Sequence, residues 1–299
     1  MRFYKPLCNL ILISVLFSAN YAYGQNESDG KKSYIKIGGN YLSNAVYSGR
    51  KDSAIVSYLR PSLGYFHKSG FFVNAEISLL VNSADAGRLD EVALETGYNF
   101  SIKDKLDGGV YGSKYFYSNG SYAVSSELEG NLGGYLSYNP GFIKIGGGAD
   151  ILFSTGSDIT VNANFSHPFE IGIENNSCTI SPTAQINAGT QTFYRSYYKN
   201  RKFSFSSGSS NSRGSGKGHH TSANSGSNKI ISFPSPNGFN VLDYELLVPV
   251  QYETKRCVIY ANPVAAFPVN PVSYAVDGVM QTEKLSNSFY AEVGIYFKL

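Results

Sequence analysis

The chain's 299 residues suffice for one large β-barrel or for two ordinary globular domains. Charged residues make up only 16%, against about a quarter on an ordinary soluble chain, and a net charge of +3 is too small to imply a nucleic-acid partner. With 31 Gly, 24 Tyr and 19 Phe beside 2 Met and no Trp, the composition suits many twisted strands joined by tight turns.

The N-terminus reads as an export signal over residues 1–24. Arg2 and Lys5 give a positive start, and Leu7 to Phe17 give a short apolar core. Ala22-Tyr23-Gly24 puts small residues where a signal peptidase cuts, so cleavage is expected before Gln25. Cys8 lies too early for a lipoprotein cleavage box, with no apolar run before it. Beyond this segment no apolar run reaches the roughly 18 residues of a spanning helix. Residues 25–299 are expected to form one domain, with Gln25 to Lys32 as its polar lead.

The strands begin at Ser33 to Asn44, where Ile35, Ile37 and Tyr41 alternate with Lys36 and Asn40. A loop around Ser48 to Asp52 leads to a second strand, Ala54 to Phe66, in which Pro61 requires a kink or an unpaired site. After a turn at His67 to Gly70, Phe71 to Val81 puts Phe71, Val73, Ala75, Ile77 and Leu79 on one face. Asn74, Glu76 and Ser78 take the other. Leu89 to Ile102 sets Val92, Leu94, Tyr98 and Phe100 against Glu91, Glu95 and Asn99. Asp107 to Tyr117 aligns Tyr111, Tyr115 and Tyr117, and Glu127 to Tyr138 sends Leu128, Leu132, Leu136 and Tyr138 outward. Asn139-Pro-Gly141 is a strong turn signal. Phe142 to Phe153, Ile159 to Ile173 and Thr179 to Tyr198 continue the series. A Ser/Gly/Asn-rich stretch, 203–229, interrupts it and cannot build a packed core. Strands resume at Val241 to Glu253 and Cys257 to Val269, and the chain ends on Asn287 to Leu299.

In that last strand Phe289, Ala291, Val293, Ile295, Phe297 and Leu299 alternate with Tyr290, Glu292, Gly294, Tyr296 and Lys298. Its aromatic, apolar finish resembles the closing strand of Gram-negative outer-membrane β-barrel proteins. The resemblance implies a transmembrane antiparallel barrel, placed in the outer membrane, with lipid and outer-leaflet lipopolysaccharide around it. It also implies delivery by the barrel-assembly machinery through the C-terminal strand. The pattern agrees: about twelve strands, an even number, joined alternately by tight and longer connections. The tight ones (67–70, 103–106, 139–141, 174–177, 254–256) are expected on the periplasmic side and the longer loops outside. Tyr65, Phe71, Phe100, Tyr138, Tyr252 and Phe297 fall near the tight-turn end of the lipid face. Tyr41, Tyr117, Tyr194, Tyr198, Phe267 and Phe289 fall near the loop end, giving two aromatic belts. Cys178 and Cys257 lie two strands apart, about 9–10 Å, and are expected as free thiols.

The inward positions carry Lys36, Arg60, Lys114, Lys144 and Arg195 against Glu76, Glu91, Glu95, Glu127, Glu129, Asp150, Glu170, Asp243, Glu245 and Glu292. Such a lumen is either a filled network of ion pairs or a cation-favouring pore or pocket. Between Glu174 and Asp243 there is no acid, while Arg195, Lys199, Arg201, Lys202, Arg213, Lys217 and Lys229 all fall there. This basic loop is expected to stay solvated, to fold into the acidic lumen as a plug, or to bind external anions. Enzymatic signals are weak. Ser166 and His167 are strand neighbours that face opposite ways, the Glu127/Glu129 spacing is commonplace, and His219-His220 sits in the low-complexity stretch. The expected function is a small-solute channel or binding barrel, without metal or cofactor. A surface-interaction barrel and a phospholipase-like hydrolase are the alternatives.

Overall fold

The computed structural model describes residues 32–51, 55–81, 86–103, 105–118, 121, 123–154, 156–173, 176–192, 231–233 and 238–299. The segment expected as an export signal and the basic stretch 203–229 lie outside them. Twelve antiparallel strands close into a barrel. In order they are β1 (Tyr34–Leu42), β2 (Tyr58–Phe66), β3 (Phe71–Leu80), β4 (Leu89–Ile102), β5 (Leu106–Tyr117) and β6 (Gly130–Tyr138). There follow β7 (Lys144–Phe153), β8 (Ser157–Ser166, continued as Phe169–Ile173) and β9 (Asn176–Ile180, continued as Thr183–Gly189). The last are β10 (Asn240–Leu247, continued as Val250–Glu253), β11 (Cys257–Pro268) and β12 (Ser288–Lys298). Each pairs with its chain neighbour, and β12 pairs with both β11 and β1, Gly38 standing opposite Tyr296. No sheet edge is left open in the wall, which is what a bilayer demands of a β structure.

Alternation along each strand sorts the side chains. Ile37, Leu63, Val73, Leu94, Leu132, Ile151, Ile259 and Ile295 are exposed on the outside, while Asn40, Arg60, Asn74, Glu95, Asn131, Asn164 and Glu292 are buried within. An apolar exterior around a polar interior inverts a soluble domain and is that of an outer-membrane barrel. Tyr65, Phe71, Tyr138 and Phe297 are exposed near the tight-turn end, and Tyr41, Phe267 and Phe289 near the other. Cys178 and Cys257 are both free.

Some expectations are corrected. Tyr117 faces inward, its hydroxyl donating to Ser125 Oγ at 3.1 Å, so it is absent from the outer belt. Residues 124–127 form a 3-10 turn, not the start of a strand, and Leu128 is buried inside the mouth. The turn breaks the alternation that had placed Leu128 outside. The strands expected at 159–173 and 179–198 are interrupted by Pro168 and Pro182, and β10 by Pro249. These breaks line up across neighbouring strands. His167 N donates to Pro182 O at 3.2 Å, Ser181 N to Pro249 O at 2.9 Å, and Val248 N to Pro263 O at 3.2 Å. Proline removes a ladder donor, so each break is tolerated because its neighbour breaks at the same level.

Glycines on the inner face let rings lie flat on the wall. A Cβ on Gly294 would fall 2.5 Å from the Tyr260 ring, and one on Gly97 2.7 Å from the Phe72 ring. Near the tight-turn end Tyr34 stacks on Phe66 (5.1 Å between centroids) and Phe66 on Phe72 (5.7 Å), filling that part of the interior.

Candidate lumen site

The outer mouth is occupied by the connection between β1 and β2. Ala45 N donates to Val56 O at 2.7 Å and Val56 N to Asn44 Oδ1 at 3.0 Å, closing the base of this loop. Above the base, Val46–Tyr47 pairs with Arg50–Lys51 in a tight hairpin. Its two turn residues, Ser48 (φ 46) and Gly49 (φ 71), are both left-handed, as a type I′ turn requires. Val46 and Tyr47 are buried in one cluster with Leu128, Leu152, Leu247 and Val264, which come from separate parts of the wall and mouth. At the tip a Cβ on Gly49 would lie 2.8 Å from Pro268 Cβ and 3.1 Å from Asp243 Cβ, so only glycine fits.

Arg50 pins the hairpin. Its Nη1 donates to Ser48 O at 3.1 Å and Leu242 O at 3.4 Å, and its Nη2 to Val269 O at 3.2 Å and Asn270 O at 3.1 Å. Its Nε stands 3.6 Å from Glu283 Oε2 in the last loop.

Below the hairpin the wall is polar around its circumference. Arg60 Nε donates to Asn40 Oδ1 at 2.7 Å, Nη1 lies 3.5 Å from Glu76, and Nη2 pairs with Glu292. Lys36 Nζ sits 4.4 Å from the centre of the Tyr296 ring, a cation–π contact. Ser113 Oγ donates to Glu95 at 3.3 Å. Asp150 Oδ1 accepts from Tyr111 OH at 2.8 Å and Asn131 Nδ2 at 2.7 Å. On the facing wall Asn187 Nδ2 donates to Asp243 Oδ1 at 2.8 Å, Gln185 Nε2 to Glu245 Oε2 at 3.2 Å, and Tyr290 OH to Glu245 Oε1 at 3.3 Å. Toward the tight turns Lys144 stands 3.6 Å from Asp107, and Lys298 2.6 Å from Glu253. Asn99, Tyr135, Asp150, Asn162, Tyr260 and Tyr296 are inward yet only half-buried, and mark where solvent reaches the interior.

The candidates of the sequence therefore separate. Lys36, Arg60, Glu76, Glu91, Glu95, Lys144, Asp150, Asp243, Glu245 and Glu292 stand on the inner face, and Glu170 is half-buried near the tight-turn end. Lys114 does not line the lumen: it is exposed beside Phe116 and pairs at 3.3 Å with Glu129, which is 67% exposed at the rim. Glu127 belongs to the 3-10 turn. Lys114 departs because the register of β5 puts it on the face of Val110 and Phe116. Arg195, Lys199, Arg201, Lys202, Arg213, Lys217 and Lys229 lie outside the described residues. Ser166 is buried inward and His167 exposed outward, so they form no nucleophile–base pair. Sequence reasoning missed the hairpin with Arg50 and Glu283. Its one signal was the Ser48-Gly49 dipeptide between Tyr47 and Arg50, a turn signature.

No family model matches the chain, and no curated protein matches it in sequence. Solved structures similar to it include the NanC porin, at 14% identity and a TM-score of 0.44, covering 89% of this chain and 100% of that one. The KdgM porin is 8% identical, with a TM-score of 0.43 over 89% of this chain and 99% of that one. OccK8 (OprE) of Pseudomonas aeruginosa is 9% identical, with a TM-score of 0.30 over 89% and 97%.

Proposed function

We propose that this barrel is a narrow channel or binding barrel for small polar solutes, favouring cations, and that its first outer loop holds the mouth shut. The observation that carries this reading is the inner wall itself. Around the circumference Glu76, Glu91, Glu95, Asp150, Asp243, Glu245 and Glu292 outnumber Lys36, Arg60 and Lys144. Burying charges costs several kcal/mol apiece unless they are paired, and an apolar filling would hold a purely structural barrel at less expense. An acidic, confined lumen attracts cations and repels anions. Conductance and ion selectivity in planar bilayers test the proposal.

The covered mouth favours a second reading, a surface-interaction barrel without transport, whose outer loops contact lipopolysaccharide or a protein. Absence of conductance after the mouth is opened would select it. We read the barrel as non-enzymatic, since the Ser166 and His167 side chains point apart, and a phospholipid-hydrolysis assay checks this. Insertion by the barrel-assembly machinery through β12, and a gating contribution from the basic loop, belong to the same proposal.

A further inference from the structure

We propose that Asp243, Glu245 and Gln185 form an oxygen-donor site for a hard divalent cation, calcium foremost, on the inner wall beneath the hairpin tip. Asp243 and Glu245 are two residues apart on β10, so both point inward, and both are almost wholly buried. Their carboxylates lie within hydrogen-bonding reach of one another. The donors that face them are neutral: Asn187 to Asp243, and Gln185 and Tyr290 to Glu245. Neutral donors orient carboxylates without cancelling their charge. The Arg50 guanidinium, whose hydrogen bonds include four backbone carbonyls and which stands 3.6 Å from Glu283, also acts on Asp243 by its charge, so it offsets part of one carboxylate and leaves Glu245 to neutral donors.

Two oxygens in this cluster receive no donor, Asp243 Oδ2 and Gln185 Oε1. Gln185 is itself 4% exposed, and its Nε2 is fixed between Asn187 Oδ1 at 2.7 Å and Glu245 Oε2 at 3.2 Å. That grip holds the amide against Glu245, with its Oε1 buried and without a donor. Two adjacent buried carboxylates must share either a proton or a cation. An amide oxygen held next to them without a donor suits the cation, because a proton between the carboxylates would leave that oxygen unserved. The donors are oxygen, with neither sulfur nor imidazole, which selects a hard ion. Calcium tolerates an irregular set completed by water, whereas magnesium demands near-octahedral geometry. Among the described residues there is no group of three acidic, His or Cys side chains fit to hold a metal. The site thus rests on two carboxylates and one amide, with Tyr290 orienting Glu245. That places it in the weak class, with a Kd of about 10⁻⁴–10⁻³ M.

Equilibrium dialysis of the full-length barrel, refolded in detergent, against calcium chloride tests the site without requiring conduction. The expected result is one saturable calcium per barrel, weakened about tenfold or more in Glu245→Gln and in Asp243→Asn and unchanged in Glu129→Gln at the rim. Heat-modifiable migration identifies the folded variants, and Gln185→Leu, which changes no charge, stands in for any that fail to fold and should weaken calcium several-fold. Absence of saturable uptake by the wild-type barrel at roughly ten times the expected Kd would overturn the proposal in favour of a shared proton. Uptake that stays unchanged in the folded variants would overturn it equally.

Discussion

Arg50 Nε and Glu283 Oε2 meet at 3.6 Å across the outer mouth, with side chains only 2% and 7% exposed, and so tie the first outer loop to the last. Removing one partner of a buried pair leaves the other charge uncompensated, which costs about 3–5 kcal/mol. Arg50→Ala should therefore lower the barrel's unfolding midpoint in denaturant and free the hairpin from its carbonyl partners. In planar bilayers the variant should open more often than wild type, while Arg50→Lys keeps part of the attraction and falls between them.

The closing strand distinguishes two neighbours. Phe297 is 45% exposed on the outside, and Tyr296 turns inward under Lys36 Nζ. A charge on the lipid face costs about 2–4 kcal/mol at mid-bilayer and less toward an interface. Phe297→Asp should reduce the folded, heat-modifiable fraction clearly, whereas Tyr296→Asp should be milder because its carboxylate meets Lys36. Equal loss in the two variants would mean that the faces of β12 are reversed.

Gly294 accommodates the Tyr260 ring, whose atoms would lie 2.5–2.7 Å from an added Cβ. Gly294→Val should destabilise the barrel by about 1–3 kcal/mol through overpacking. Adding Tyr260→Ala should relieve part of that penalty, which a double-mutant cycle in urea would register as coupling.

Much of the barrel was readable because period-two alternation depends only on neighbouring residues. Phe71 to Val81 shows it most clearly, and Glu76 and Asn74 fall on the inner face that the sequence assigned them. The interruptions at Pro168, Pro182 and Pro249 went unread inside strands drawn through them, and their alignment across strands is a property of register, which no single strand encodes. Lys114 was misplaced because Tyr111 and Tyr115 of the same strand turn inward and send it outward, and Glu129 because it lies just before β6, where alternation loses its meaning. The hairpin in the mouth was hidden for a different reason. Nothing local to Tyr47 or Arg50 says that a loop turns into the barrel; that follows from the apolar side chains of Leu152, Leu247 and Val264 which await it.

The basic loop gives an independent electrostatic test. Deleting Ser206 to Ser227 should raise conductance and strengthen cation preference if its Lys and Arg residues approach the acidic lumen. High salt should partly reproduce the deletion by screening the same attraction. A folded deletion variant with unchanged conductance and selectivity would leave that loop outward-facing.

The most direct test is the reversal potential across a planar bilayer under a potassium chloride gradient, measured on wild type and on a barrel whose residues 45–55 are replaced by a short Gly-Ser turn. Wild type should conduct little. The shortened barrel should conduct well, with a reversal potential of the sign that marks cation selectivity. A folded, heat-modifiable barrel that stays silent without its hairpin, or that prefers chloride, would contradict a cation-favouring channel closed by its first outer loop.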